Sequence, residues 1–267
     1  MNERAAELLQ KKDNYTFADL CTIMEILRGE GGCPWDREQT HTSIRNNFIE
    51  ETYEVIEAID TEDPKLLREE LGDVLLQVVF HARMEEEIGR FGIDDVANDI
   101  CAKLIHRHPH IFSDVKADNT DQVLANWEAI KADEKARVTV SDKLNAIPRI
   151  LPALMRAEKV GKKSGLDSAD YAANPEEALA TLMMLTTQMA EADDAKRSQL
   201  YGELLFAAVT LGRKLGLEAE TALTAETDRR IGDYMQMERE LGEDPQKALT
   251  SDQLAAKWQT LRDAQGE

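Results

Sequence analysis

Apolar residues recur along this chain at intervals of three and four, a spacing that predicts helix after helix. Phe17 to Leu27 keeps the period and stops at the Gly29-Glu30-Gly31-Gly32 run. Gly31 to Gln39, reading GGCPWDREQ, is expected to be a loop. Ser43 to Ile59 is amphipathic. Asp63-Pro64 is a start signal for a helix from about Lys65 to about Ile88, because proline lacks the amide proton that the first turn leaves unused. Asp94 to Arg107 is the next helix; Pro109 breaks it, and Thr120 to Ala136 follows. Val138 to Pro152 holds two prolines and little periodicity, so it reads as a linker, with Arg149 to Lys163 a helix leading out of it. Pro175 to Ala190, Ala195 to Leu215, Leu217 to Leu241 and Ser251 to Arg262 complete the pattern. No stretch alternates with period two, so the expected fold class is all-α.

A weak internal repeat runs through this pattern. Gly72-Asp73-Val74-Leu75-Leu76 is echoed by Gly202-Glu203-Leu204-Leu205-Phe206, and Arg83 by Arg213. Trp127 with Lys131 is echoed by Trp258 with Arg262, one residue out of step. Two similar helical modules in tandem are the natural reading. Composition agrees: aromatics make up only 5% of the 267 residues, which leans towards helices. The formal net charge of −20 argues against a nucleic-acid partner, since such proteins present basic surfaces to phosphate. Three cysteines, Cys21, Cys33 and Cys101, form no C-x-x-C pair, and neither a signal peptide nor an apolar run of membrane length occurs. A cytoplasmic protein without membrane partners is the expectation.

The chemistry concentrates in Glu50-Glu51-Thr52-Tyr53-Glu54 and Glu70-Leu71-Gly72-Asp73. At roughly 100° per residue, Glu50, Glu51 and Glu54 share one side of a helix, with Ile44, Phe48, Val55, Ile56 and Ile59 on the other. Such a stripe alone is most often a solvated face. The following helix is apolar nearly all round, which predicts burial, yet Glu70, Asp73 and Gln77 fall on one stripe of it. Buried carboxylates are costly unless paired or bound to metal, and no Lys or Arg lies on either stripe. A short connection favours antiparallel neighbours, so the two stripes are expected to face each other. All-oxygen ligands suit hard cations such as Mg²⁺ or Mn²⁺, and the absence of Glu-x-x-His disfavours a di-iron centre.

At these residues the sequence resembles the MazG family of nucleoside triphosphate pyrophosphohydrolases, among the all-α NTP pyrophosphatases. The family signature is E-E-x-x-E, a spacer, then E-x-x-D; Glu50, Glu51, Glu54, Glu70 and Asp73 fill it. Cys33-Pro34-Trp35-Asp36 with Gln39-Thr40, His108-Pro109-His110-Ile111-Phe112, Trp127 with Lys131, and Leu151 to Lys159 also match two-domain members. The resemblance implies Mg²⁺-dependent hydrolysis of nucleoside triphosphates to a nucleoside monophosphate and pyrophosphate, serving nucleotide-pool housecleaning, with Mn²⁺ as a substitute. It implies Glu51, Glu54, Glu70 and Asp73 as metal ligands, and Glu50 as orienter of the attacking water or its base. Lys103, Arg107, Trp127 and Lys131 are implied to bind phosphates and base.

The implied organisation is a catalytic MazG-like domain over 1–137, a linker over 138–152 and a degenerate MazG-like domain over 153–267. In the second half Glu70 becomes Leu200, Asp73 becomes Glu203, and the third carboxylate position after Glu176-Glu177 becomes Ala180. A homodimer is expected, because a small module with so apolar a central helix has more apolar surface than it covers alone, and because MazG-like proteins pair their modules. Trp35 is expected to plug a gap between helices rather than stack on a base. The His106-x-His108-x-His110 run is read as structural rather than as a zinc site, and Cys33 as packing. The alternatives are a metal-stabilised scaffold or a nucleotide-binding regulatory module, neither with turnover.

Overall fold

A computed structural model describes residues 3–265 apart from 13, 114, 116–118, 135–138, 166–173 and 243; for 128, 132–134, 264 and 265 it describes the backbone alone. Every regular element among the described residues is helical. The chain divides into two compact units, Met1–Lys131 and Ala132–Glu267.

The first unit begins with α1 (Glu3–Gln10) and α2 (Phe17–Arg28). Thr16 and Asp19 form a reciprocal capping box on α2, which satisfies two amide protons that the helix start would leave bare. Lys11 adds an ion pair to Asp19 at 2.5 Å, and these partners hold the Asp19 carboxyl down at about 2. The turn after α2 needs glycine: Gly31 has φ of 74°, and a Cβ on Gly32 would meet the Leu27 carbonyl at 2.2 Å. The expected loop then holds a short helix, α3 (Pro34–Glu38), because Pro34 and Asp36 both favour a first turn. Arg28 fixes this segment. Its guanidinium pairs with Glu87 at 2.8 Å, donates to the carbonyls of Asp36 and Gln39, and lies 5.3 Å from the Phe80 ring centroid.

The helices α4 (Arg45–Asp60) and α5 (Pro64–Glu87) make the most extensive helix pair of the unit. Asp63 caps α5 by accepting from the amides of Lys65 and Leu66, a bond set worth about 1 kcal/mol. Met24, Ile44, Val79, Phe80 and Met84 form the core of α2, α4 and α5, each contributing about 1.5–3 kcal/mol by burial. The unit continues with α6 (Ile93–Arg107), α7 (Pro109–Phe112) and α8 (Thr120–Glu134).

Two expectations need correction here. The central helix is not buried all round: Leu71 and Leu75 are 51% and 39% exposed. Ile56 and Ile59 of α4 are exposed as well, whereas Ile44 is buried. One pair of helices covers only one arc of each, so the remaining apolar arcs stay on the surface of the chain.

The second unit comprises α9 (Val140–Asn145), α10 (Ala153–Ser164), α11 (Pro175–Glu191), α12 (Asp194–Lys214), α13 (Ala219–Leu241), α14 (Pro245–Ala248) and α15 (Ser251–Gln265). The 138–152 stretch is not bare chain. It contains α9, which packs on α10, and Ile147 is buried. In this unit α11 and α12 make the most extensive pair, around Leu185, Leu200 and Ala207. Asp193 caps α12 as Asp63 caps α5.

Candidate metal centre

The α4–α5 hairpin brings two acidic stripes together. Glu51 and Glu54 lie one turn apart on α4; Glu70, Asp73 and Gln77 follow one stripe of α5. Carboxylate oxygens of Glu51, Glu70 and Asp73 lie within 4.8 Å of one another. Glu54 is near enough for its charge to raise the carboxyls of both Glu51 and Glu70, although its oxygens lie outside the 4.8 Å group. Glu50 is exposed and stands outside this group.

The electrostatics are those of a site short of positive charge. Burial, then the charge of Glu54, pushes the Glu70 carboxyl above its ordinary value; Glu70 is only 9% exposed. Burial, then the charge of Asp73, does the same to Glu51. Among the described residues no ion pair reaches Glu51, Glu54, Glu70 or Asp73. The Gln77 carboxamide oxygen, four residues past Asp73, is buried without a hydrogen-bond partner. Three clustered carboxylates with Glu54 beside them suit a hard divalent cation, and a donor group without thiolate or imidazole among the described residues fits zinc or iron poorly.

A second constellation joins α6 to α8. The Arg107 guanidinium lies 5.8 Å from the Trp127 ring centroid, and the Lys131 ammonium 5.4 Å from the same ring. Contacts of this kind contribute about 0.5–2 kcal/mol each. The Trp127 indole N–H and the His110 Nδ1 are buried without hydrogen-bond partners. Of the cations implied to bind phosphate, Lys103 is exposed and Arg107 is 8% exposed.

Trp35 does not plug a gap, being 57% exposed. Its segment is anchored through backbone carbonyls held by Arg28, so the ring is left outside. The His108 Nδ1 sits 2.6 Å from the Leu104 carbonyl, which is a helix-end contact. Cys33 is half-buried.

Sequence reasoning missed one network. His41 approaches His81 with Nδ1 to Nδ1 at 2.7 Å, its rings stacked at 5.0 Å, and its Nε2 meets Glu85 at 2.7 Å. His81 continues the stripe of Glu70, Asp73 and Gln77 by one more turn, and that periodicity was the available signal. The partner, His41, precedes the helix and carries no periodic signal.

In the second unit the equivalent hairpin has no such cluster among the described residues. Leu200 is buried in the apolar core of α11 and α12, and Glu203 accepts from the Gln199 amide at 2.8 Å.

Comparison with known proteins agrees with this geometry. Residues 39–112 match the model of the MazG nucleotide pyrophosphohydrolase domain, a span containing every one of the clustered carboxylates. The chain is 44% identical over 226 residues to a nucleoside triphosphate pyrophosphohydrolase of Escherichia coli K12, covering 82% of this chain and 86% of that protein. It is 39% identical over 235 residues to the nucleoside triphosphate pyrophosphohydrolase/pyrophosphatase MazG of Thermotoga maritima, covering 88% and 90%. A nucleoside triphosphate pyrophosphohydrolase of Mycobacterium tuberculosis is 45% identical over 155 residues, covering 56% and 46%.

Proposed function

Because this chain belongs to the MazG family, we propose that it hydrolyses nucleoside triphosphates to nucleoside monophosphate and pyrophosphate at the α4–α5 hairpin. The observation that carries this reading is the convergence of Glu51, Glu70 and Asp73 within 4.8 Å, with no basic partner among the described residues. Glu51, Glu54, Glu70 and Asp73 would hold a divalent cation, Mg²⁺ in the first instance and Mn²⁺ as a substitute. When bound, such a cation polarises phosphate oxygens and acidifies a coordinated water. Its charge also offsets the repulsion between these carboxylates and a polyphosphate in a chain of net charge −20.

In the reaction a water oxygen bonds to the α-phosphorus while the bridge to the β-phosphate breaks, and pyrophosphate leaves with the bond electrons. Glu50, exposed beside Glu51, orients that water or accepts its proton. Lys103, Arg107 and Lys131 bind phosphate oxygens, and Trp127 takes the base. The contacts of Arg107 and Lys131 with the Trp127 ring support a joint role. Phosphoryl transfer depends on placement and charge neutralisation more than on covalent chemistry, so a rigid hairpin suits it.

Two further readings belong to this proposal. The active form is a homodimer, supported by exposed apolar stripes on α4 (Ile49, Tyr53, Ile56), α5 (Leu71, Leu75) and α6 (Val96, Ile100, Leu104). The chain carries two MazG-like modules, supported by matching hairpins and matching aspartate caps. No helix of the described residues is long and apolar enough to cross a membrane, and the free cysteines suit a reducing cytoplasm.

A screen of NTPs and dNTPs with Mg²⁺, reading pyrophosphate and orthophosphate separately, tests the reaction. Pyrophosphate is the expected primary product. Orthophosphate as the primary product overturns attack at the α-phosphorus, and nucleotide binding without turnover overturns catalysis.

A further inference from the structure

The α4–α5 hairpin is closed at one end by the turn of Thr61 to Asp63. A second closure lies at the opposite end, and its partners are far apart in the sequence. His41 stands in the turn before α4 and reaches across to α5. Its Nδ1 lies 2.7 Å from Nδ1 of His81, and its Nε2 lies 2.7 Å from a Glu85 carboxylate oxygen. The His81 ring is held between His41, stacked at 5.0 Å, and Phe48 of α4, tilted at 5.9 Å. Glu85 is 8% exposed and takes a further contact from Arg90 at 3.2 Å. The turn that presents His41 is braced. Thr40 and Ser43 exchange hydrogen bonds between backbone amide and side-chain hydroxyl, and Arg28 of α2 donates to the Gln39 carbonyl.

Hydrogen bonding sets the proton count of this chain of groups. A carboxylate accepts only, so His41 Nε2 carries a proton. The two facing Nδ1 atoms share a single proton between them, one donating and the other accepting. The pair therefore closes with no charge or with one, and a second charge sets two N–H groups head to head. His41 is exposed, so solvent protons reach the pair. Burial, then the charge of His41, holds His81 below its ordinary value. Against the effect of burial, hydrogen bonds from His41 and then Arg90 hold the Glu85 carboxyl below its ordinary value. From α4 the pair meets Phe48, an uncharged ring. The charged groups of the other packed elements are engaged elsewhere. Arg83 pairs with Glu86 and Glu87, Arg28 of α2 with Glu87, and Glu25 of α2 with Arg4. At the start of α6, Asp95 caps its own helix and the charge of Asp94 acts on Cys21.

We propose that His41, His81 and Glu85 are positioning residues for the carboxylate cluster, pinning α4 to α5 at the open end of the hairpin and releasing it when both histidines are protonated. This role rests on the cation site proposed above. His81 lies about two turns beyond Asp73 on α5, and His41 leads directly into the helix that carries Glu51. A shift at the clamp is carried along both helices to the cluster, and groups that orient ligands govern how tightly a metal is held. The unfolded chain takes up the second proton at the ordinary histidine value and the fold only below it, so acidification destabilises the closed pair.

Mn²⁺ alone is the probe, titrated into the full-length protein while the electron paramagnetic resonance signal of the free ion is read. His81→Leu removes the hydrogen bond. His81→Asn keeps an amide near the Nδ1 position that donates or accepts but does not titrate. At about pH 7.5, His81→Leu is expected to bind Mn²⁺ about tenfold more weakly than wild type, the scale seen when a ligand-orienting group is lost. His81→Asn is expected to stay within about threefold of wild type. Between about pH 7.5 and about pH 5.5, wild-type affinity is expected to fall more steeply than that of His81→Asn, the carboxylates being common to both. Wild-type affinity in His81→Leu overturns the proposal. So does a His81→Asn protein as weak as His81→Leu, or one whose pH curve runs parallel to wild type. If circular dichroism shows the leucine variant misfolded, the asparagine curve decides alone. Wild-type protein that binds no Mn²⁺ overturns the cation site and this role together, whereas Mn²⁺ binding without pyrophosphate release overturns the proposed reaction alone.

Discussion

Glu51 of α4 and Asp73 of α5 present carboxylate oxygens within 4.8 Å of each other, across a turn of only Thr61 to Asp63. Neither pairs with a cation from the protein among the described residues. The repulsion shows in Glu51, whose carboxyl is raised by burial and by the charge of Asp73. A hairpin that holds like charges together in this way supports the cation site proposed there.

Removing a ligand should therefore cost activity without costing the fold. Glu54→Gln and Asp73→Asn are each expected to lower pyrophosphate release by about 10²-fold or more, the scale seen when a preorganised electrostatic group is lost. Thermal melts in EDTA should match the wild type or exceed it. Wild-type turnover in purified Glu54→Gln protein would refute the ligand assignment.

Stability should depend on pH through Glu70. Its carboxyl is raised in the fold, by burial and then by Glu54, so the folded state binds more protons than the unfolded one across that window. Ionising Glu70 is then destabilising: the penalty is absent below the unfolded value and complete above the folded one. In EDTA, Glu70→Gln should melt higher than wild type at neutral pH, and the gap should close as pH falls through the carboxylate range. Added Mg²⁺ should raise the wild-type melting temperature and leave the variant nearly unmoved. A gap that ignores pH would remove the electrostatic argument.

Lys131→Ala should chiefly affect substrate capture. Loss of one charged contact to phosphate corresponds to roughly 10- to 100-fold in kcat/KM. The expectation is a rise in KM with kcat less affected, measured under saturating Mg²⁺. An unchanged KM would leave the Lys131 ammonium, 5.4 Å from the Trp127 ring centroid, as a packing contact only.

Light scattering at micromolar concentration should report twice the 30.0 kDa chain mass. Leu71→Glu, at a position 51% exposed in the single chain, should shift that mass towards the monomer. A wild-type monomer would exclude the dimer.

Glu203→Gln should leave turnover nearly unchanged, because Glu203 is engaged by Gln199 and lies in a hairpin whose neighbouring position is Leu200. Damage equal to that of Asp73→Asn would make the second unit catalytic.

The helices and the acidic stripes were legible in the sequence because both depend on local period. A turn of 3.6 residues places Glu70, Asp73 and Gln77 on one side of α5 whatever surrounds it, and Asp63-Pro64 marks the start of that helix by backbone chemistry alone. The same holds for α12, which keeps the apolar period of α5 and carries an aspartate cap as α5 does. Tertiary packing decided what period cannot, namely how far each helix is rotated about its axis against its neighbours. That rotation put Glu51 into the cluster and left the adjacent Glu50 outside it. It exposed Leu71 and Ile56, which looked like core, and buried Arg107 against Trp127. It also joined His41 to His81 and Glu85, residues that no local spacing connects. Side chains far apart in sequence meet only where packing of the intervening helices brings them, and the energy of that packing is shared over many contacts that no single segment encodes.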